Sequence, residues 1–471
     1  MGDGGELGVF GIAASAAAAY RKDVAAAERT PTLPYARMLD AFDGPTPEAG
    51  EDGEAVIEAL IATATPGIRA MTGPRFFGWV IGQSHPVGVA ADWLTSAWGQ
   101  NAANQVAAPA AAAAEAVAAR WLLDLLDLPR ESSVGFVTGA TVASFVCLAA
   151  ARNAVLRAVG WDVEADGLFG APPINVLVGA EAHATIFSGL KYLGLGASRV
   201  HHIAVDDQGR MLAGDFAARL ATLEGPVIAI AQAGQINTGA FDPVNEIAPL
   251  VKARGGWLHV DGAFGLWVRA APGLAHLGAG LELADSWATD GHKWLQTPYD
   301  CGFAIVRDAE AHRRAMTIAA SYLPPAEDAE RDPSQYVPEL SRRARGFATW
   351  AMIRHLGRAG IARMVERHCA VAARMASRLA AEPGVRVMND VVLNQIIVRL
   401  GAGDSLEAAD RLTLSTVQRV QDDAICFVGP SVWLGQWVMR ISVTSAATTL
   451  AEGDRAADAI IAAWRAVQAG S

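Results

Sequence analysis

The sequence predicts an α/β protein in three parts: a helical N-terminal segment over 1–75, a large domain over 76–345 with a mixed, mostly parallel sheet, and a smaller α+β C-terminal domain over 346–471. Three observations predict it. From Ser133 onward, short apolar or β-branched runs ("VGFVTG", "INVLVG", "RVHHIAV", "PVIAIAQAG", "WLHVDGA") are separated by helical patterns, and strands alternating with helices make parallel sheets. Beyond Leu340 helical patterns dominate and are followed by strand-like "VVLNQIIVRL", "AICFVG" and "WVMRISV". Ahead of both, alanine-rich stretches alternate with Pro/Gly punctuation such as "GPTPEAGEDGEA", which reads as helices joined by loops.

Taken in order, the N-terminus places acids before its apolar part and has no basic region, which argues against a secretory signal. Glu6 stands where a myristoylation signal needs Ser or Thr. Ala107 to Ala119 runs into "EAVAARWLLDLLDLP", an amphipathic helix closed by Pro129. The uncharged run Val134 to Ala151 is long enough to raise a membrane helix, but Gly135 and Gly139 interrupt it and a strand, turn and helix accounts for it better. "FDPVNEIAPLVKARGG" carries a helix start, with Asp242 as N-cap and Pro243 as first helical residue, and a Gly255-Gly256 stop.

Composition narrows the function classes. Of 471 residues, 52% are hydrophobic and 18% charged, which describes a packed globular chain. A net charge of -11 and the lack of a Lys/Arg run give no footing to nucleic acid or an anionic membrane. Cys147, Cys301, Cys369 and Cys426 lie far apart without CxxC spacing, so neither a zinc knot nor a disulfide framework is expected, and a reducing cytoplasm is the simplest location.

Four features fall at the carboxyl ends of expected strands, where open α/β sheets bind ligands. Gly139-Ala140-Thr141 joins a strand to a helix, so free N–H groups and a hydroxyl can meet an anion there. Asp261 ends "WLHVD", where it is either a turn former or a fixed negative charge, and Gly262-Ala263 beside it leave room for a flat ring. His183 follows "INVLVG", either as an ordinary loop histidine or as an imidazole lying against a ring. The last is His292-Lys293, between Trp287 and Trp294. A lysine in that setting either snorkels into water or presents a partly desolvated amine for Schiff-base chemistry. An amine, a carboxylate, a stacking imidazole and an anion cradle together form the inventory of a pyridoxal 5'-phosphate site. A metal-dependent hydrolase using His259, Asp261 and His292 as ligands leaves Lys293 and the turn without a role.

The order of these pieces, with Asp261 of "HVDGA" 32 residues before Lys293 of "HKW", resembles the group II pyridoxal-phosphate-dependent amino-acid decarboxylases, the family of aromatic-amino-acid and glutamate decarboxylases. The likeness runs from "PRFFGWV" through "TGAT", "EAH", "NTGAFDP", "HVDGA", "ATDGHKW" and "SRRARG" to "VMRISV". It implies the pyridoxal-phosphate transferase fold of type I, an obligate homodimer with active sites at the subunit interface, and decarboxylation of an L-amino acid to the amine and CO2. It also implies roles for residues of this chain. Lys293 becomes the Schiff-base lysine, Asp261 the partner of the ring nitrogen, His183 the group over the ring and Ala263 the group under it. Gly139, Ala140, Thr141 and His292 hold the phosphate.

The chain departs from the family pattern at several points. Gly234-Gln235-Ile236 replaces a common Gly-Thr-Thr, and Val142 stands where relatives place a glutamate. Relatives carry a proton-donating tyrosine in the loop before "PELSRRARG"; here Asp332 or Pro333 falls near that place, with Tyr336 and Tyr322 as candidates to serve instead. Loss of that tyrosine is associated in the family with aldehyde formation, so aldehyde synthesis, Cα–Cβ cleavage and transamination stand as alternative outcomes. The expected substrate wall is "FFGWVIGQSH": Phe77, Trp79 and Ile81 suit an apolar or aromatic side chain, and Gln83 and His85 a polar one.

Overall fold

A computed structural model describes residues 4–26, 31–318 and 331–470. The five runs read as strands, joined by two more, form a seven-stranded sheet: β1 (Ser133–Val137), β2 (Asn175–Gly179), β3 (His201–Ile203), β4 (Val227–Gln232), β5 (Trp257–Asp261), β6 (Ser286–Asp290) and β7 (Gly302–Val306), in the order β1-β7-β6-β5-β4-β2-β3. β7 is antiparallel to both neighbours, and the remaining pairs are parallel. β1, β4, β5, β6 and β7 are buried along their whole length, and in β4 and β7 this leaves near-continuous apolar runs rather than alternating ones.

The helix Ala140–Arg157 packs across this sheet. It is the one helix among the described residues long and apolar enough to cross a membrane, yet 61% of it is buried inside the protein. Buried polar groups between sheet and helix satisfy one another: His259 Nδ1 on β5 meets Ser286 Oγ on β6 at 3.0 Å, and its Nε2 lies 3.4 Å from Ser144 Oγ on the helix. Burial pushes the His259 imidazole down to about 3, so it is neutral and held by hydroxyls. Among the described residues no three His, Cys, Asp or Glu side chains are grouped to hold a metal ion.

The smaller C-terminal domain is built on a second, antiparallel sheet of β8 (Val385–Val387), β9 (Gln395–Leu400), β10 (Gly429–Trp433) and β11 (Gln436–Ser442), in the order β10-β11-β9-β8. The helices Leu406–Asp423 and Leu450–Ala469 and the latter part of Arg345–Ala380 pack against it. Arg345–Ala380 is broken at Gly357, whose φ of 61° favours glycine. The segment before residue 75 is helical, as read, with Gly4–Ala26, Tyr35–Phe42 and Gly53–Ala64; the last two bury none of their residues.

Two local readings are corrected. Asp242 does not cap a helix: Pro243 is the cap and the helix runs Val244–Ala253. Its carboxylate instead accepts the N–H groups of Met211 and Gln232, both at 2.7 Å, and burial pushes it up to about 6. The "AICFVG" run is a ladder strand only from Gly429; Ala424 has φ 60°, and Phe427 pairs instead with the Arg75–Phe77 segment. That contact ties "PRFFGWV" to the small domain.

A buried ion pair joins the expected amphipathic helix, Pro109–Leu125, to the chain entering Arg345–Ala380. Glu115 and Arg342 have side chains at most 1% exposed and meet at 2.7 Å, with Arg342 also donating to the carbonyls of Ala102 and Phe136. Removing one partner strands a buried charge. Arg342→Ala should therefore destabilise the protein by about 3–5 kcal/mol in denaturant unfolding, whereas Arg419→Ala, which breaks an exposed pair with Asp423, should cost under about 1 kcal/mol.

Candidate active site

The strand ends converge on a cavity of about 440 Å³. β5 delivers Asp261 and β6 delivers Asp290; the turn after β6 carries His292 and Lys293, and the turn after β1 carries Gly139 into the helix that starts at Ala140. β2 leads to His183, which caps the helix Ala184–Tyr192. The ladder sets the depth of these groups, pairing Asp261 with Gln232 on one side and Ala288 on the other. Gly139, Ala140, Thr141, His183, Asp261, Ala263, His292 and Lys293 all line this one cavity, together with Trp79 and Ile81.

The lysine reaches inward. Its Nζ lies 2.8 Å from Asp290 Oδ2 and 5.9 Å from the centre of the Phe264 ring, while Trp287 and Trp294 are fully buried and bonded elsewhere, to the Leu281 carbonyl and to His368. Asp261 is buried, which raises its pKa; a positive charge on Lys293, or on His183 when it is protonated, and the Ala263 N–H, at 3.2 Å, oppose that rise. Among the described residues it has no ion-pair partner within 4.0 Å. His183 is lowered, mainly by burial and further by the positive Lys293 and Arg440, with Asp261 pulling the other way; its Nδ1 is 2.8 Å from Thr185 Oγ1. His292 is likewise lowered by burial, accepts the Cys301 N–H through Nδ1, and stacks on Tyr299 at 4.3 Å between ring centres.

Close backbone approaches hold this geometry. A Cβ on Gly302 in β7 would lie 2.5 Å from the Gly139 Cα, and one on Gly82 would lie 2.4 Å from the carbonyl oxygens of both His292 and Lys293. The wall before Gly82 is wound left-handed at Trp79 and Val80, with φ of 52° and 57°, at about 1–2 kcal/mol per residue.

Other expected residues are not brought to the cavity. Phe77 is buried in the core of the small domain. His85 caps the helix Pro86–Trp98 through Nδ1 and faces His355, ring centres 4.8 Å apart. Tyr336 sits edge-on to His312 beside Arg331, with its carbonyl oxygen against β1 at Gly135, and does not line the cavity. Tyr322 lies outside the described residues. Asp332 receives the Gln105 N–H at 2.9 Å. Sequence reasoning in turn overlooked Asp290, Gln232 and Tyr299, all on the cavity wall; Asp290 stands at a strand end within "ATDGHKW" and carried the same signal as Asp261.

The donor set fits pyridoxal phosphate: an inward amine, a buried carboxylate without a cation, a helix start at a glycine turn, and small Ala263 and Gly234 where a flat ring needs room. Residues 36–401 match the pyridoxal-dependent decarboxylase conserved domain. The chain belongs to that family. Membership brings pyridoxal phosphate as cofactor and decarboxylation of an amino acid as the reaction. This decarboxylase is 26% identical over 455 residues to tryptophan decarboxylase 1 of Oryza sativa subsp. japonica, covering 90% of this chain and 87% of that one. It is 28% identical over 436 residues to L-2,4-diaminobutyrate decarboxylase of Rhizobium meliloti (strain 1021), covering 90% and 84%. Its fold superposes on Oryza sativa TDC with PLP and tryptamine (TM-score 0.90, 22% identity, 99% of each chain) and on mouse CSAD (0.89, 21%, 98% and 99%).

The Gly302 contact gives a test of how rigidly the turn must sit. Gly302→Ala should push the Gly139 turn away from His292, costing about 1–3 kcal/mol of stability and weakening pyridoxal phosphate binding about tenfold, read by fluorescence titration of protein whose circular dichroism is unchanged.

Proposed function

We propose that this decarboxylase acts on an aromatic L-amino acid, with Lys293 as the amine that holds the cofactor. The observation that carries the substrate reading is the set of apolar side chains Trp79, Ile81 and Ile236 in the cavity lining. Trp79 is half-exposed and braced by the stacked pair Phe76 and Phe427. Relatives named as tryptophan and aromatic-L-amino-acid decarboxylases support the same reading.

Bound pyridoxal phosphate supplies an electron sink for the pair left on the α-carbon when CO2 departs. The chain's own residues set the conditions for it. Asp261, buried without a cation of its own, is the partner a protonated ring nitrogen needs, and that pairing works against the burial that raises the carboxyl. His183 is neutral near pH 7; with Nδ1 engaged by Thr185, its Nε2 is the nitrogen left to face the ring. Ala263 would leave room for the ring, and Ala140, Thr141 and His292 would hold the phosphate. The Lys293 amine, 2.8 Å from Asp290, can hold or move a proton within the cavity.

A homodimer is part of the proposal. Trp93, Trp98, Val106 and Trp350 are large apolar side chains left in solvent by one chain, and aromatic surface of that kind suits a subunit interface. The cysteines are all free, in keeping with a reducing cytoplasm. A second outcome, oxidative aldehyde formation in which dissolved O2 takes the electron pair left by CO2 loss and is released as H2O2 with ammonia, is favoured by the position of Tyr336 away from the cavity; a relative 25% identical over 398 residues is named 4-hydroxyphenylacetaldehyde synthase.

Three measurements check these assignments. Borohydride reduction should leave the cofactor on the peptide holding Lys293, and Lys293→Ala should lose at least about a thousandfold in rate. CO2, amine, aldehyde and peroxide, followed across a panel of L-amino acids, should show CO2 release from aromatic substrates; release only from acidic or basic ones would overturn the substrate reading. Because the His183 pKa is lowered, its neutral form persists as pH falls to that value. The acid limb of kcat/KM that belongs to it should therefore lie below about 6.5, the ordinary imidazole value.

A further inference from the structure

One side chain with no role in the assignments above engages two of the groups that a phosphorylated aldehyde needs. Asp290 ends β6 with its side chain 3% exposed. Its Oδ1 accepts the N–H of Ala140, the first residue of the helix Ala140–Arg157, at 2.7 Å, and lies 3.5 Å from His292 Nε2. Its Oδ2 is 2.8 Å from Lys293 Nζ. One buried carboxylate thus ties the amine to the anion cradle. The fit is close, since a Cβ on Gly139 would stand 3.2 Å from Asp290 Oδ1 and 3.1 Å from His292 Cε1.

From this we infer that Asp290 is an internal latch of the cofactor-free enzyme. It occupies the helix N–H and the amine that the cofactor's phosphate and aldehyde require, so cofactor capture is an exchange of Asp290's partners rather than an addition to free groups. The inference rests on the reading of Lys293 and the Ala140 turn given under Proposed function. Two physical arguments carry it. A carboxylate and a phosphate are like charges, and their repulsion is strong where water is excluded. Breaking a buried ion pair also leaves its carboxylate uncompensated unless a new partner arrives. The latch therefore stabilises the empty site and holds Lys293 facing the cavity, while it weakens and slows cofactor binding.

The test uses cofactor-free wild type and D290N, which keeps the side-chain shape and removes the charge. Both are titrated with pyridoxal phosphate by quenching of tryptophan fluorescence, with inorganic phosphate as a competitor. The latch predicts that D290N binds pyridoxal phosphate at least about tenfold more tightly and responds to about tenfold less inorganic phosphate. It also predicts a lower melting temperature for cofactor-free D290N, with the gap to wild type closing when both are loaded. Equal affinities and equal competition, or weaker binding by D290N, would overturn it. D290S, which keeps an oxygen without charge, serves if D290N does not fold. K293A separates the two readings: if its cofactor absorption matches that of wild type, the assignment of Lys293 falls, whatever D290N does.

Discussion

The parallel pairing of β5 with β4 and β6 is the constraint on which the rest of the molecule depends. It sets Asp261 level with Gln232 and Ala288, so that the strands end at one edge and the turn after β6 folds back over it. β7 runs antiparallel between β1 and β6, and its Gly302 lets the Gly139 turn lie against the strand. Sheet register therefore determines how far the anion cradle stands from the lysine. Asp285 helps to lock that register at the other end, accepting the Leu258 N–H at 2.8 Å while its own N–H reaches the Leu258 carbonyl.

The same edge concentrates polar groups that a core of this kind otherwise excludes. Asp261 and Asp290 are buried against a single amine, with two imidazoles that burial keeps toward neutrality. Such an arrangement costs stability unless something compensates it. Lys293 and the Ala140 N–H compensate Asp290 directly, whereas Asp261 has, among the described residues, the Ala263 N–H and no ion pair. Under the proposed function the difference divides the labour between two buried carboxylates: one completes the protein's own structure, and the other would receive a cation that arrives with the cofactor.

How much of this was legible in the sequence depended on where a residue's partners lie. Asp261, His183, Lys293 and the Gly139 turn were legible because a polar residue at the end of an apolar strand has few places to point other than the sheet edge. Strands such as β4 were legible for a related reason, since burial along their whole length leaves near-continuous apolar runs, whereas "SWATD" of β6 offers no such run. Asp242, Phe77 and Tyr336 were placed by contacts distant in sequence. Asp242 turns to the amides of Met211 and Gln232, and Phe77 follows the pairing of its neighbours with Phe427 into the small domain. Tyr336 is drawn to His312. No local pattern encodes those partners. Asp290 carried the strand-end signal in full and was overlooked because the neighbouring His292 and Lys293 absorbed the reading.

The central claim is that Asp261 faces the ring nitrogen of the cofactor and keeps it protonated. The chemical shift of an isotopically labelled ring nitrogen in the loaded enzyme measures that directly. The account predicts a pyridinium shift in the wild type and its loss in Asp261→Asn. An unprotonated nitrogen in the wild type, or the same pyridinium shift in both proteins, would contradict it.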